Sequence, residues 1–155
     1  MEEELRALVK AALFGHIGVD GSGNVLWVEG EGAQQIAFHV PSGVDPGTLV
    51  NWAEQPQGGR RPFIVMLVVD DAEGLHMNGP DGLFQGRVQL DCYATTYGEA
   101  KNLSRAVRAV LHGYRSGGFR LVQHVATRDA GREGGTNEAE RLFRVSLDFL
   151  TNWRE

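Results

Sequence analysis

Phe84-Gln85-Gly86-Arg87-Val88-Gln89-Leu90-Asp91-Cys92-Tyr93-Ala94 decides the fold class, because its side chains change character at every second step. Phe84, Val88, Leu90, Cys92 and Ala94 alternate with Gln85, Arg87, Gln89, Asp91 and Tyr93. Successive side chains of a strand point to opposite faces, so the stretch predicts a half-buried strand with one wet or partner-facing side. Directly after it, Thr96-Tyr97-Gly98-Glu99 has the form of a capping box. It opens a helix whose apolar face is Tyr97, Ala100, Leu103, Val107, Val110, Leu111 and Tyr114, with Gly113 as a stop.

The other elements are read outward from this pair. Upstream, Phe63-Ile64-Val65-Met66-Leu67-Val68-Val69 is a continuous apolar run of strand length, followed by a glycine-studded stretch from Gly74 to Gly82. Downstream, Phe119 to Arg128 reads as a strand. Phe143, Val145, Leu147, Phe149 and Trp153 mark a closing strand by alternation. Between these two, Asp129 to Glu140 is glycine-rich, charged and poor in bulky apolar residues, and predicts a mobile loop.

At the start of the chain, Leu5, Leu8, Val9, Ala12 and Leu13 recur at helical spacing behind Glu2, Glu3 and Glu4, predicting a helix over Glu2 to Phe14 with Gly15 as its stop. His16 to Val19 and Val25 to Val28 flank Asp20-Gly21-Ser22-Gly23-Asn24, the pattern of a hairpin turn. Ile36 to Val40 fits another strand, and Leu49 to Glu54 fits one turn of helix inside a Pro- and Gly-rich loop. The order helix, strands, helix, two strands predicts an α+β fold: an antiparallel or mixed sheet with two helices packed on one face. At 155 residues the chain fits one domain, with an extra hairpin or arm around 19–45 and the mobile loop at 129–140.

Charge and motifs exclude more than they assign. Net charge is −5, which argues against wrapping nucleic acid, since that affinity comes from lysine and arginine neutralising phosphates. The single cysteine, Cys92, excludes an internal disulfide framework, and it alternates onto the apolar face of its strand, as an inert core thiol would. The acidic start lacks the basic region of a secretory leader, and no stretch approaches the roughly 20 apolar residues of a membrane span. Those features predict a protein made and used inside a cell.

No phosphate loop is present, because Gly131, Gly134 and Gly135 lack the Lys-Ser/Thr that would follow. Gly113-Tyr114-Arg115-Ser116-Gly117 has its serine one place late for a nucleophile elbow. His16, His39, His76, His112 and His124 are scattered without ligand spacing. Asp20, Ser22, Asn24 and Glu31 mimic part of a calcium loop, yet Val25 stands where that loop needs glycine, and a hairpin turn explains the same residues. Pro80-Asp81 with Asp91 resembles part of an acidic nuclease site, but such a site also needs a nearby lysine, and the chain has only Lys10 and Lys101. Neither a catalytic constellation nor a cofactor site follows from these residues. Lys101, Arg105, Arg108, His112 and Arg115 share the helix face opposite its apolar one; this is either a solvated face or a subunit contact, with Glu2, Glu3 and Glu4 as the complementary patch.

One long stretch carries a resemblance. Asn78-Gly79-Pro80-Asp81-Gly82-Leu83-Phe84 leading into Arg87-Val88-Gln89-Leu90-Asp91-Cys92 resembles the signature of the phage tail-completion, or tail-terminator, family. Tyr97-Gly98-Glu99-Ala100 is similar to its helix start, and Arg144-Val145-Ser146-Leu147-Asp148-Phe149 with Trp153 to its closing strand. Asn51-Trp52, Pro56-Gln57-Gly58, Pro62-Phe63-Ile64-Val65 and the first helix match its upstream part. The departure lies around Val19 to Asp45. The resemblance implies a structural protein of long-tailed phages, prophages or gene transfer agents. It would cap the head-proximal end of the tail tube as a ring, usually six-membered, stop tube growth and meet the head connector. Its implied partners are copies of itself, the tail tube protein and the head-completion stopper, with DNA passing through the lumen without sequence-specific binding. It would lie in the host cytoplasm during assembly and in the particle neck afterwards. Other readings are a stopper or tube subunit, a small ligand-binding or enzymatic α+β domain, and a nucleic-acid-binding regulator.

Overall fold

A computed structural model of the protein describes residues 1–14, 17–19, 25–27, 36–37, 50–53, 63–133 and 142–154. The elements in chain order are α1 (Glu2–Phe14), β1 (Ile17–Val19), β2 (Val25–Trp27), β3 (Ile36–Ala37), β4 (Val50–Trp52), β5 (Phe63–His76), β6 (Gly79–Ala94), α2 (Tyr97–Leu111), β7 (Phe119–Glu133) and β8 (Leu142–Arg154). The five-stranded sheet runs β4-β5-β6-β8-β7, with β4 parallel to β5 and the remaining pairs antiparallel. A smaller antiparallel sheet is ordered β1-β2-β3. The architecture is α+β, as the alternation and the helical spacing require.

The expected faces of β6 are realised. Val88, Leu90, Cys92 and Ala94 are fully buried, and their cross-strand partners Phe149, Leu147, Val145 and Phe143 on β8 extend the same apolar side. Helix α2 lies across β8, β6 and β7 and contributes Leu103, Ala106, Val107 and Leu111 to that core. Helix α1 packs against α2 and β4, inserting Leu5 and Val9 into the same cluster. Thr96 caps α2 through its side chain, which accepts from the Glu99 backbone N–H at 3.3 Å. Beyond the helix, Gly113 takes φ +84°, a region that glycine enters without a Cβ penalty.

Three expectations are corrected by the backbone. Leu49 to Glu54 is no helical turn: Val50, Asn51 and Trp52 form β4, paired in parallel with Ile64, Val65 and Met66. Buried Val50 on one face of an otherwise polar, proline-flanked segment is what a short edge strand needs. The strand of Phe63–Val69 continues seven residues further, to His76, and the glycine-studded stretch beyond it is mostly the return strand. The hairpin closes at Met77-Asn78, and Gly79 at φ +116° admits the chain into β6. On the other side of the sheet, β7 runs past Arg128 to Glu133 because Asp129, Arg132 and Glu133 still find partners at Val145, Phe143 and Leu142. The rest of the expected loop, 134–140, lies outside the described residues, as do the Asp20–Asn24 turn and the stop at Gly15. The strands flanking that turn do pair, Ile17 with Trp27 and Val19 with Val25.

Candidate assembly interface

On the face of the sheet away from the helices, β6, β8 and β7 bring three charged side chains together. Asp148 is 1% exposed, and its Oδ2 accepts from Arg87 Nη2 at 2.7 Å. Arg128 Nη2 donates to Asp148 Oδ1 at 3.2 Å and lies 3.1 Å from Oδ2. A carboxylate so far from water needs such charge-assisted donors, or its desolvation would go uncompensated. Polar contacts continue along the strands. Arg128 also donates to Gln89 Oε1 at 3.4 Å, Gln89 Nε2 donates to Asp91 Oδ1 at 2.9 Å, and Ser146 donates to the same oxygen at 2.5 Å. Arg144 lies 3.9 Å from Asp91 Oδ2. The wet side of β6 is therefore a cross-strand polar lattice that ties three strands together.

The same geometry disposes of the nuclease reading. Asp81 and Asp91 sit ten residues apart on one continuous strand, about 33 Å at the usual rise per residue. Asp81 is engaged by the Leu83 backbone N–H at 2.8 Å and by His76 at 3.2 Å, while Asp91 belongs to the lattice. Among the described residues no group of three His, Cys, Asp or Glu side chains could hold a metal ion. Asp20, Ser22, Asn24 and Glu31 lie outside the described residues. Cys92 is fully buried, and burial, reinforced by Asp91, pushes its thiol far above the usual range, so it carries no thiolate to react. No helix among the described residues is long and apolar enough to cross a membrane.

The basic face of α2 divides on inspection. Lys101 is committed within the molecule: its Nζ lies 2.7 Å from Asp129 Oδ1 on β7, and 5.7 Å over the Tyr97 ring. Hydrogen bonding to Asp129 raises the Lys101 pKa, and hydrogen bonding to Lys101 lowers that of Asp129. Tyr97, placed on the apolar face by spacing, is 48% exposed and reaches Asp129 with its hydroxyl at 3.0 Å. His112 accepts at Nδ1 from the His124 backbone N–H, 3.1 Å away, and so joins the end of α2 to β7. Desolvation first, then Arg108 and His112, lowers the pKa of His124. Arg105, Arg108 and Arg115 remain exposed.

The N-terminal acids divide in the same way. Glu4 Oε1 accepts from the Gly118 backbone N–H at 2.8 Å, fastening α1 to the turn before β7. That turn favours glycine at 117, where φ is +60° and a Cβ would push the Glu4 carboxylate aside. Glu3 lies 3.6 Å from Arg6, whose Nε donates to Val50 O at 3.0 Å. Only Glu2 is left exposed without a described partner. All three glutamates stay exposed, and of the three Glu4 is the one hydrogen-bonded to another element among the described residues.

An exposed acidic ribbon, which spacing alone did not single out, extends from the sheet instead. From Leu67 onward the outer edge of β5 has no partner among the described residues, because β4 ends its pairing at Met66. Asp70, Asp71 and Glu73 line that stretch, all exposed, and the tip carries Leu75 and Met77, 78% and 105% exposed. The signal was present in the sequence: residues 63–86 contain Asp70, Asp71, Glu73 and Asp81 and no lysine or arginine.

Residues 45–152 match the family described as tail completion protein gp17. The chain belongs to the tail completion protein gp17 family. The matched span takes in β4 to β7, α2 and all but the end of β8, so the family covers the five-stranded sheet and its principal helix. Helix α1, whose position also resembled the family's upstream part, falls outside the match, as do β1, β2 and β3. Among solved structures, the fold is similar to a chain from the virion of a native gene transfer agent particle, with a TM-score of 0.54 at 16% identity, over 70% of this chain and 81% of that one. No curated protein matches the chain in sequence. Family membership identifies the protein as a structural component of a phage-type tail.

Proposed function

We propose that this tail completion protein caps the head-proximal end of a tail tube as a ring, ends tube growth and joins the tail to the head connector. The observation that carries the reading is the match over 45–152, which spans the five-stranded sheet, all but the end of β8, and α2 rather than one motif. The fold likeness to a chain of a gene transfer agent virion supports the same class of particle. A ring of identical subunits, six in the family's usual form, needs different patches of one surface to meet head to tail. The chain offers chemically distinct flanks for that purpose. Its partners would be its own copies, the tail tube protein and the head-completion stopper. The acidic balance, −5 overall, suits a lumen through which DNA slides without being held. Assembly would take place in the host cytoplasm, and the mature location would be the particle neck. Residues 19–45 lie outside the family match except at their last position, and we read them as an arm added to the family's core.

Deleting the gene in a particle-producing strain and imaging the lysate by negative stain tests this. Full heads beside unattached tubes of uncontrolled length are the expected result. Tails of normal length left unjoined would reassign the protein to the stopper position, and intact particles would overturn the structural reading.

A further inference from the structure

The charges of this chain are segregated along the sequence and across the fold. Residues 63–86 hold Asp70, Asp71, Glu73 and Asp81 and no lysine or arginine. Residues 100–128 hold Lys101, Arg105, Arg108, Arg115, Arg120 and Arg128 and no aspartate or glutamate. The sheet order separates the two segments in space. The acidic charges lie on the edge strand and tip of the β5–β6 hairpin, while the basic ones lie on α2, which packs across β8, β6 and β7, and on the start of β7.

Much of this charge has no internal use. Lys101 is neutralised by Asp129, Arg128 by Asp148, and Asp81 sits beside His76. Asp71 accepts weakly from Trp153 Nε1 at 3.4 Å. Asp70 and Glu73 on one flank, and Arg105, Arg108, Arg115 and Arg120 on the other, are exposed and have no partner among the described residues. From Leu67 onward the acidic flank also has a strand edge with no partner among the described residues, and two bare apolar side chains, Leu75 and Met77, at its tip. An open edge left exposed in a monomer is a hazard; one guarded by like charges accepts only a partner that neutralises them. Opposite charge on two separate surfaces of one molecule is what a heterologous contact between identical copies requires.

From this complementarity we infer that the β5–β6 ribbon of one subunit docks along its β5 edge on the α2 face of a second copy of this chain, with Asp70 and Glu73, which project from opposite faces of that edge, flanking the stripe of Arg105, Arg108 and Arg115. The inference rests on the ring reading above and supplies its contact. It takes the ribbon rather than the acidic N-terminus as the complement of the α2 face, since Glu4 is hydrogen-bonded to Gly118 and Glu3 lies beside Arg6 within their own subunit. Specificity comes from the charges, and the exposed Leu75 and Met77 supply apolar area at the end of the ribbon.

The test uses the full chain and native mass spectrometry over a range of protein and salt concentrations. Three proteins are compared with wild type: Asp70→Arg with Glu73→Arg, Arg105→Glu with Arg108→Glu, and all four together. All four positions are exposed strand or helix sites, and circular dichroism reports whether each variant folds. Each two-site variant is expected to raise the concentration at half-assembly by about tenfold or more, and the four-site variant to return to within about threefold of wild type. Raising salt from about 0.05 M to about 0.5 M should weaken wild-type assembly, since exposed charges are screened over such a range. As an independent readout, Glu73→Cys and Arg105→Cys proteins should form a cross-linked dimer only when mixed. Wild-type rings that are indifferent to all three variants would overturn this contact and leave the ring reading standing. Wild type that stays monomeric at every concentration would remove both. Intact rings from a two-site variant that no longer completes particles would assign these flanks to another tail component, which also overturns the inference.

Discussion

Removing the Asp148 carboxylate gives the sharpest test of how the outer face of the sheet is held. Asp148 is almost wholly excluded from water and receives two guanidinium groups, one at 2.7 Å. A hydrogen bond to a charged group contributes about 1.5–3 kcal/mol net when both partners are buried. Here the partners are not: the Arg87 and Arg128 side chains retain 40% and 55% of their exposure and can turn to water once Asp148 is gone. That relief lowers the expected cost of Asp148→Ala to about 2–4 kcal/mol, below the 3–5 kcal/mol typical of breaking a fully buried pair. For a chain of this length, this is a fall of roughly 5–15 °C in Tm. Arg128→Ala, which removes the more exposed partner, should cost about 1 kcal/mol or less. A double-mutant cycle between Arg87 and Asp148 should give a coupling of about 1–2 kcal/mol. Urea unfolding followed by tryptophan fluorescence and far-UV circular dichroism, at protein concentrations low enough to keep association out of the equilibrium, measures all three. A cost for Asp148→Ala under about 0.5 kcal/mol, or equal costs for Asp148→Ala and Arg128→Ala, would refute the view that this carboxylate anchors three strands.

Other consequences follow from single sites. Thr96→Ala removes the side chain that caps α2 and should cost about 1 kcal/mol in the same unfolding assay, with Thr96→Ser nearly neutral. Ala53 has φ +61°, where an L side chain is strained, so Ala53→Gly should leave stability unchanged or raise it by up to about 1 kcal/mol, and a clear loss would contradict the strain. His124, with its pKa lowered by burial and by Arg108 and His112, binds its proton less readily folded than unfolded. Its neutral form therefore contributes stability above the ordinary histidine pKa, and that contribution is lost as pH falls from about 7 to 5. The drop in Tm over that interval should be smaller in His124→Gln than in wild type. Cys92 should resist maleimide in the native protein and react fully in denaturant, as counted by intact mass.

The fold was legible wherever a period survived. The alternation of Val88, Leu90 and Cys92, and of Val145, Leu147 and Phe149, marked the two central strands, and the spacing of Leu103, Val107 and Leu111 marked α2. It failed where pairing is non-local. β4 is three residues held by a parallel neighbour, too short for alternation to distinguish from one turn of helix. The far half of β5 has an exposed, charged pattern with a glycine in it, which reads as loop until its register with β6 is seen. The lattice around Asp148 was legible only as a wet strand face. Its meeting of Arg87 with Arg128 depends on β8 lying between β6 and β7, and no local pattern encodes strand order. Nor does anything in the spacing of Glu2, Glu3 and Glu4 reveal that Glu4 accepts a hydrogen bond from the Gly118 backbone N–H, because that contact spans most of the chain.

The placement of β8 inside the sheet also bears on the protein's synthesis. It follows both β6 and β7 in sequence, yet it separates them and pairs with both. While the chain is being translated, the apolar faces of Val88, Leu90 and Val122 wait without their permanent neighbours until Leu142–Arg154 has emerged from the ribosome. A prematurely terminated product therefore lacks a sheet interior rather than a fringe, and it should be degraded instead of entering a particle as a defective subunit. The order of strands thus makes the interior of the sheet wait on a segment translated after both of its neighbours.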